Sequence, residues 1–287
     1  MNEKEGDGVT LYLNPHLQSI ERLKQQRICI KYHGQQTKET IRILIVNLMP
    51  NKIDTEFQFL SLIGSLSIDI TVDFIYMASY RPKNTDYAYL NKAYKTYRDI
   101  KKLTYDRVII TGAPLEFIPF SQILYWEELK KIFAFVQNGA TSTLYICWAA
   151  IAGLYYHYNV KKRMTSDKVF GVFSHTIKRP HDLLTGLSNG LLMPHSRYVY
   201  LDERAIQEIE QLDILIHSTE AGVTLVSSKN NRHLYLTAHP EYERDTLQKE
   251  YMRDKKRGIN IKPPKNHHLA GNWENHAKQF FYNWIAL

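Results

Sequence analysis

The chain repeats one pattern, in which a short, continuously apolar run ends abruptly and is followed by a segment with helical periodicity. Such runs include RILIVNL at 42–48, VII at the end of YDRVII (105–110) and LYIC at the end of STLYIC (142–147). A strand that is apolar on both faces fits only inside a sheet that helices cover on both sides. The pattern therefore predicts an α/β fold with a mostly parallel sheet flanked by helices on both faces.

The pattern also predicts how the chain is organised. Residues 1–40 are polar and irregular apart from a helix over 16–26, so we expect an N-terminal extension packed on the core and one domain over 41–287. The segment 161–200 is too irregular for a core, which predicts an excursion that covers the active-site face. The other predicted elements are helices over 57–66, 126–139 and from Glu243, and strands over 68–77, 222–228 and 233–240.

Charge and cysteine content limit the class of protein. The net charge of +8 includes basic clusters at 161–163 and 253–257, but acidic residues interleave elsewhere. This distribution favours a polyanionic small ligand over nucleic acid. Two cysteines are too few for a disulfide framework or a zinc site, and the start MNEKEGDGVT does not look like a signal peptide. We expect a cytoplasmic protein without a metal and without a nucleic-acid or membrane partner.

Cys147 lies where an apolar strand gives way to the helical run WAAIAGLYYHY. Parallel strands deliver their carboxyl ends to one edge of the sheet, where ligands gather. A helix N-terminus behind the thiol favours the thiolate, and its free N–H groups can receive an oxyanion. Cys147 is therefore a candidate nucleophile, and the alternative is a small buried core residue.

The string AHPEY places His239 and Glu241 two residues apart at the end of another strand. Residues with that spacing on an extended segment point to the same side. A histidine and a carboxylate in this arrangement can activate a thiol and hold the imidazole tautomer. A structural histidine at a strand end is the alternative, and the remaining histidines show no spacing typical of metal ligands.

Several strings together resemble the homoserine O-acyltransferase family of methionine biosynthesis, whose fold is like that of class I glutamine amidotransferases. The resemblance implies an acyl-thioester on Cys147, a general base at His239 and an orienting carboxylate at Glu241. It also implies that Lys168, Ser196 and Arg253 bind substrate. The matching strings are NLMPNKIDTE (47–56), TGAPLE (111–116), STLYICW (142–148), MPHSRY (193–198), HPEY (239–242) and Arg253.

The resemblance implies a ping-pong reaction without a bound cofactor, in which acetyl-CoA is a co-substrate. The backbone N–H groups of Trp148 and Leu115 would hold the tetrahedral oxyanion. Glu116 would act as a discriminator of the acyl group, because glycine at this position tolerates succinyl and a buried glutamate repels its second carboxylate. Acetyl-CoA is therefore the expected donor unless Glu116 points to solvent. Homodimer formation stays open.

The chain departs from the family pattern at Asp54, Ile151 and Ala238, which leaves the acceptor open between L-homoserine and L-serine. One methylene group is worth only about 1–3 kcal/mol of discrimination. A glutamine amidotransferase-type hydrolase is a further alternative, although Trp148 directly after Cys147 is unlike the small, glycine-rich elbow of those enzymes. Use of succinyl-CoA, a non-catalytic binding protein and a basic nucleic-acid binder are weaker alternatives.

Overall fold

The computed structural model describes residues 10–287, which form an α/β fold around one eleven-stranded sheet. The strand order is β2-β1-β4-β3-β5-β6-β11-β10-β9-β7-β8, and the first seven strands in this order run parallel. The remaining pairs are antiparallel. The strands are β1 (Thr10–Leu13), β2 (Cys29–Tyr32), β3 (Ile41–Val46), β4 (Ile70–Ile75), β5 (Tyr105–Ile110), β6 (Ala140–Ile146), β7 (Arg163–Ile177), β8 (Leu191–Tyr200), β9 (Leu212–Ser218), β10 (Gly222–Ser228) and β11 (His233–Leu236).

Helices cover both faces of the sheet, as the continuously apolar strands predict. Ile43 and Ile45 of β3 face one apolar cluster, while Leu44 and Val46 face the other. This alternation is the two-residue period of a strand that is buried on both sides. Over residues 10–287, no helix is long and apolar enough to cross a membrane. The α-helices of this part of the chain are α1 (Ile20–Gln25), α2 (Lys52–Gly64), α3 (Tyr87–Ala93), α4 (Tyr97–Ile100), α5 (Trp126–Gly139), α6 (Trp148–Tyr158), α7 (Glu203–Gln207), α8 (Thr246–Lys256) and α9 (Glu274–Ala286).

The predicted parallel core is confirmed closely. Strands β3, β5 and β6 lie where the apolar runs predict them, and α5 has the predicted bounds. Helix α2 begins at Lys52, five residues before the predicted start at 57, because its first turn is polar and lacks apolar periodicity. The carboxyl ends of β3, β5, β6 and β11 meet at one edge, which is where the candidate site lies.

Residues 10–40 are more regular than the sequence pattern predicts. They contribute β1 and β2 to the edge of the sheet, where β1 pairs with β4, and α1 lies inside the predicted helix at 16–26. Each strand has only four residues, too few to produce a clear periodic signal. Residues 1–9 of the predicted extension lie outside the described part of the chain.

The predicted irregularity of 161–200 is wrong, although the segment does contact the active site, where the carbonyl of Pro194 accepts from the N–H of His239. Most of this segment is a long antiparallel hairpin of β7 and β8, joined to the main sheet where Thr176 and Ile177 pair with β9. The first part of β7 is polar and largely exposed, with a register shift between Met164 and Val169. An exposed, irregularly paired strand has no apolar alternation by which the sequence could reveal it.

Candidate active site

Cys147 occupies a sharp turn between β6 and α6. Its backbone has φ 52° and ψ −112°, a region that residues other than glycine rarely adopt. Its N–H donates to the carbonyl of Leu236 at 2.7 Å, which fixes the turn to the neighbouring strand. Such a strained strand-to-helix turn holds a nucleophile clear of the sheet, at the N-terminus of the following helix.

Gly112 lies close to both Cβ of Cys147 and the ring of His239. A Cβ on Gly112 would be 3.4 Å from Cβ of Cys147 and 3.4 Å from Cε1 of His239. The turn that carries Gly112 is held by Thr111, whose N–H donates to Val46 and whose hydroxyl accepts from the N–H of Leu48 at 2.8 Å. The turn that follows β5 therefore packs against both the nucleophile and the histidine.

His239 and Glu241 form the predicted pair. Nδ1 of His239 lies 2.6 Å from Oε1 of Glu241, and both side chains are almost fully buried. Because Nδ1 is engaged with the carboxylate, Nε2 is the ring nitrogen left for the thiol. Burial by itself would lower the pKa of His239, but the negative charges of Cys147 and Glu241 outweigh it and raise that pKa well above the ordinary value. Cys147, His239 and Glu241 therefore have the arrangement of a nucleophile, base and orienting acid.

Backbone and ring contacts hold His239 in place from two further directions. Its N–H donates to the carbonyl of Pro194 on β8 at 2.9 Å, and its ring stacks on Tyr242 with centroids 4.3 Å apart. The hairpin that replaces the predicted irregular segment thus helps to position the base. Tyr242 had no assigned role in the sequence analysis, because stacking is visible only in three dimensions.

Arg197 is a buried cation near the nucleophile that the sequence analysis did not single out. Its Nη2 donates to the carbonyl of Ala221 at 2.5 Å, while Nε and Nη1 have no hydrogen-bond partner among residues 10–287. Burial lowers the pKa of Arg197 to about 10, and the charge of Cys147 acts against that change. Among residues 10–287 no carboxylate forms an ion pair with this guanidinium, and the charge of Cys147 interacts favourably with it.

The two predicted oxyanion donors differ in their present hydrogen bonds. Trp148 is the first residue of α6, and the first N–H groups of a helix have no carbonyl partner within it. The N–H of Leu115, in contrast, donates to the carbonyl of Ala113 at 2.9 Å. Leu115 can receive an oxyanion only when this bond is exchanged, whereas Trp148 is ready to donate.

Lys168 and Ser196 come together on the β7–β8 hairpin, facing Glu250 of α8. Nζ of Lys168 lies 3.4 Å from Oε2 of Glu250 and 3.3 Å from Oδ2 of Asp254. The hydroxyl of Ser196 donates to Oε2 of Glu250 at 2.5 Å, and that of Tyr242 donates to Oε1 at 2.7 Å. Glu250 is thus the centre of this cluster, and its place in a strongly polar helix gave no sequence signal for such a role.

Arg253 reaches the same cluster through Asp254. Its Nε and Nη2 lie 2.9 and 2.8 Å from Oδ1 of Asp254, and its side chain is 49% exposed. The guanidinium is therefore paired with a carboxylate of the protein, and its fork is not buried as a closed anion site would require. Arg253 belongs to the rim of the site.

Glu116 is half-buried, and the pKa of its carboxyl responds to charges in the site. Burial raises the pKa of its carboxyl, while the charges of Lys168 and His239 act in the opposite direction. The loop that carries it is pinned by Lys162, whose Nζ donates to the carbonyls of Glu116 at 2.5 Å and Ile118 at 2.8 Å. The carboxyl of Glu116 is therefore partly withdrawn from solvent and lies within electrostatic reach of Lys168 and His239.

Within residues 10–287, no group of three or more histidine, cysteine or acidic side chains could hold a metal ion. The site chemistry is instead that of a buried thiol, an imidazole and a carboxylate beside a cluster of paired charges. This combination suits acyl transfer through a covalent thioester to a small charged acceptor.

Comparisons with known proteins show the family to which this sequence is related. The family model described as homoserine O-succinyltransferase matches residues 10–287. A homoserine O-acetyltransferase of Bacillus cytotoxicus is 42% identical over 260 residues, which cover 88% of this chain and 86% of the relative. Homoserine O-acetyltransferase 1 of Ilyobacter polytropus is 40% identical over 281 residues, with 94% and 93% covered.

Solved structures are similar to the chain in fold alone. A glutamine amidotransferase of Thermotoga maritima superposes with a TM-score of 0.61 at 10% identity and covers 86% of this chain and 97% of its own. A glutamine amidotransferase of Methylobacillus flagellatus gives a TM-score of 0.55 at 10% identity, with 87% and 94% covered. The expected class I glutamine amidotransferase-like fold is confirmed.

Proposed function

Because the chain belongs to the homoserine O-succinyltransferase family, we propose that it transfers an acetyl group from acetyl-CoA to the side-chain hydroxyl of L-homoserine. The observation that carries this proposal is the meeting of Cys147 with the His239–Glu241 pair at a strained strand-to-helix turn. This arrangement supports a covalent acyl-enzyme and a ping-pong sequence. The product, O-acetylhomoserine, would feed methionine biosynthesis.

The first half-reaction loads the nucleophile. His239 accepts the thiol proton of Cys147 at Nε2, and the sulfur attacks the thioester carbonyl carbon of acetyl-CoA. The oxyanion is stabilised by the N–H of Trp148 and, once it leaves Ala113, by the N–H of Leu115. The intermediate collapses as the carbon–sulfur bond to CoA breaks, and His239 returns its proton to the CoA thiolate. Glu241 stabilises the imidazolium throughout.

The second half-reaction repeats these steps with an alcohol. His239 takes the proton of the acceptor hydroxyl, whose oxygen attacks the acetyl carbonyl carbon on Cys147. The carbon–sulfur bond breaks, the thiolate leaves and the ester is released. His239 then returns the proton to the thiolate of Cys147, which restores the starting thiol and neutral imidazole.

The charged cluster around Glu250 suits an amino acid as the acceptor. It combines two cations, Lys168 and Arg253, with two carboxylates, Glu250 and Asp254. A zwitterion carries one group of each sign, so its carboxylate can pair with Lys168 and Arg253 while its ammonium pairs with Glu250. The relatives' names favour homoserine over serine as this acceptor.

A thiol-release assay tests the proposed function. With acetyl-CoA as donor, we expect CoA release that depends on L-homoserine, and little release with L-serine. Release with L-serine alone would make the protein a serine O-acetyltransferase. Ammonia release from L-glutamine, without acetyl transfer, would favour a hydrolase of the amidotransferase type and contradict the proposal.

Glu116→Gly is expected to increase kcat/KM for succinyl-CoA by at least about tenfold, because it removes a like charge from the space of the second carboxylate. The positive charges of Lys168 and His239, which act on Glu116, would then attract that carboxylate instead. Glu116→Gln is the matched control, since it removes the charge and keeps the volume. A gain with glycine only would assign the selection to size, and no gain with either variant would contradict a role of Glu116 in choosing the acyl group.

A further inference from the structure

A cavity of about 350 Å³ lies above the carboxyl ends of β3, β4 and β5, at the edge of the sheet that also carries the nucleophile. Its lining includes Leu48 after β3, Met77 after β4, and Leu115 and Ile123 on the loop after β5. The volume is in the range of small-molecule sites. The cavity adjoins the catalytic centre across a single turn, because Gly112 touches Cys147 while Ala113 to Leu115 line the cavity.

The polar groups on the inner wall of this cavity are hydrogen-bonded within the protein and are not free to bind a polar ligand. Lys52 reaches it, but Nζ donates to the carbonyls of Asn47 at 2.6 Å and Met49 at 3.3 Å. Burial lowers the pKa of Lys52 to about 8. The side-chain amide of Asn47 is likewise engaged, donating to Tyr94 and to the carbonyl of Lys52. What remains for an occupant is a mostly apolar surface.

The mouth of the cavity differs from its interior. Ile118 and Leu124 are 38% and 78% exposed there, so they present apolar area to solvent beside the cavity. Lys83 and Asn84 stand at the same mouth, both exposed. Over residues 10–287, Lys83 forms no ion pair. The mouth therefore combines apolar contact area with an unpaired positive charge.

We propose that this cavity holds the pantetheine arm of the CoA thioester, with the nucleotide phosphates at Lys83. The assignment rests on the proposed acetyl transfer and adds the place of the donor. An uncharged, flexible arm fits an apolar cavity, and phosphates fit an unpaired lysine at its mouth. The arm then ends at Leu115, one turn from Cys147. The acceptor amino acid is zwitterionic and does not suit this mostly apolar wall, whereas its two charges match those of the Glu250 cluster.

Binding of free CoA, measured by calorimetry, tests the assignment without relying on turnover. Leu124→Glu and Lys83→Glu each place a negative charge where the phosphates would lie, and both residues are exposed enough for the fold to be kept. We expect each variant to weaken CoA binding on the order of 3- to 10-fold. Ile259→Glu and Lys101→Glu are matched controls at exposed sites away from the cavity, and we expect them to bind like the wild type.

A second experiment uses a short acetyl donor that lacks the nucleotide and most of the pantetheine chain. With S-acetyl-N-acetylcysteamine, the two mouth variants should keep wild-type kcat/KM, while KM for acetyl-CoA rises as binding falls. Unchanged CoA binding in both variants, or equal losses with both donors, would overturn the assignment. A wild-type protein that binds CoA here but transfers no acetyl group would contradict the proposed function and leave the donor site standing.

Discussion

Cys147→Ala is expected to lower kcat for acetyl transfer by about 10⁴-fold or more, since it removes the atom that carries the acetyl group. His239 and the oxyanion donors would remain. Without the thiol, the only route left is direct attack of the acceptor hydroxyl on acetyl-CoA. Alanine at φ 52° is strained to the same degree as cysteine, so the turn and the fold should be kept. The measurement is steady-state CoA release with saturating L-homoserine.

Mass spectrometry adds a direct readout of the intermediate. In the absence of an acceptor, acetyl-CoA should leave one acetyl group on the wild-type chain, located at Cys147. Cys29→Ala is the matched control, because Cys29 is the other cysteine of the chain and is exposed at the edge strand β2. An alanine variant at position 147 that keeps near-wild-type turnover, or acetyl found on Cys29 instead, would contradict the covalent mechanism.

Parts of the fold that are buried on both faces were predictable from the sequence. Ile43 to Val46 form an unbroken apolar run because each side of the sheet is covered. In an α/β chain such a run predicts a central strand that is buried on both faces. The β7–β8 hairpin was not predictable, since its first residues are polar, exposed and paired irregularly. Hydrophobic patterning reports burial, and where a strand is not buried the signal is lost.

The same limit separates the parts of the site. Cys147, His239 and Glu241 follow apolar strands directly, so the strand ends predict that they meet. Glu250 and Arg197 carry no such signal: one lies in a polar helix, and the other is a charged residue whose burial contradicts its type. Their roles depend on which elements pack together, which local sequence does not encode. The resemblance of MPHSRY to the family indicated Ser196. Its hydrogen-bond partner Glu250 is visible only where α8 packs on the hairpin.

Glu241→Gln is expected to lower kcat by about 10²- to 10⁴-fold while leaving KM for acetyl-CoA nearly unchanged. The carboxylate accepts from Nδ1 of His239 at 2.6 Å and supplies one of the two negative charges that raise the pKa of the ring. A neutral amide keeps the volume but removes that charge, so the pKa of His239 should fall toward the ordinary value. The imidazolium formed in each half-reaction would then be less stable.

The pH profile separates this electrostatic role from a structural one. Histidine with a raised pKa holds its proton up to higher pH, so loss of the Glu241 charge should move the His239 titration in the kcat profile to lower pH. Because Cys147 and His239 interact strongly, the observed value belongs to the pair. Glu243→Gln is the matched control: it lies two residues further along, where its carboxylate is 3.6 Å from Arg22 and away from the imidazole. Equal losses in the two variants, or an unshifted profile in Glu241→Gln, would mean that Glu241 supports the fold and does not assist the base.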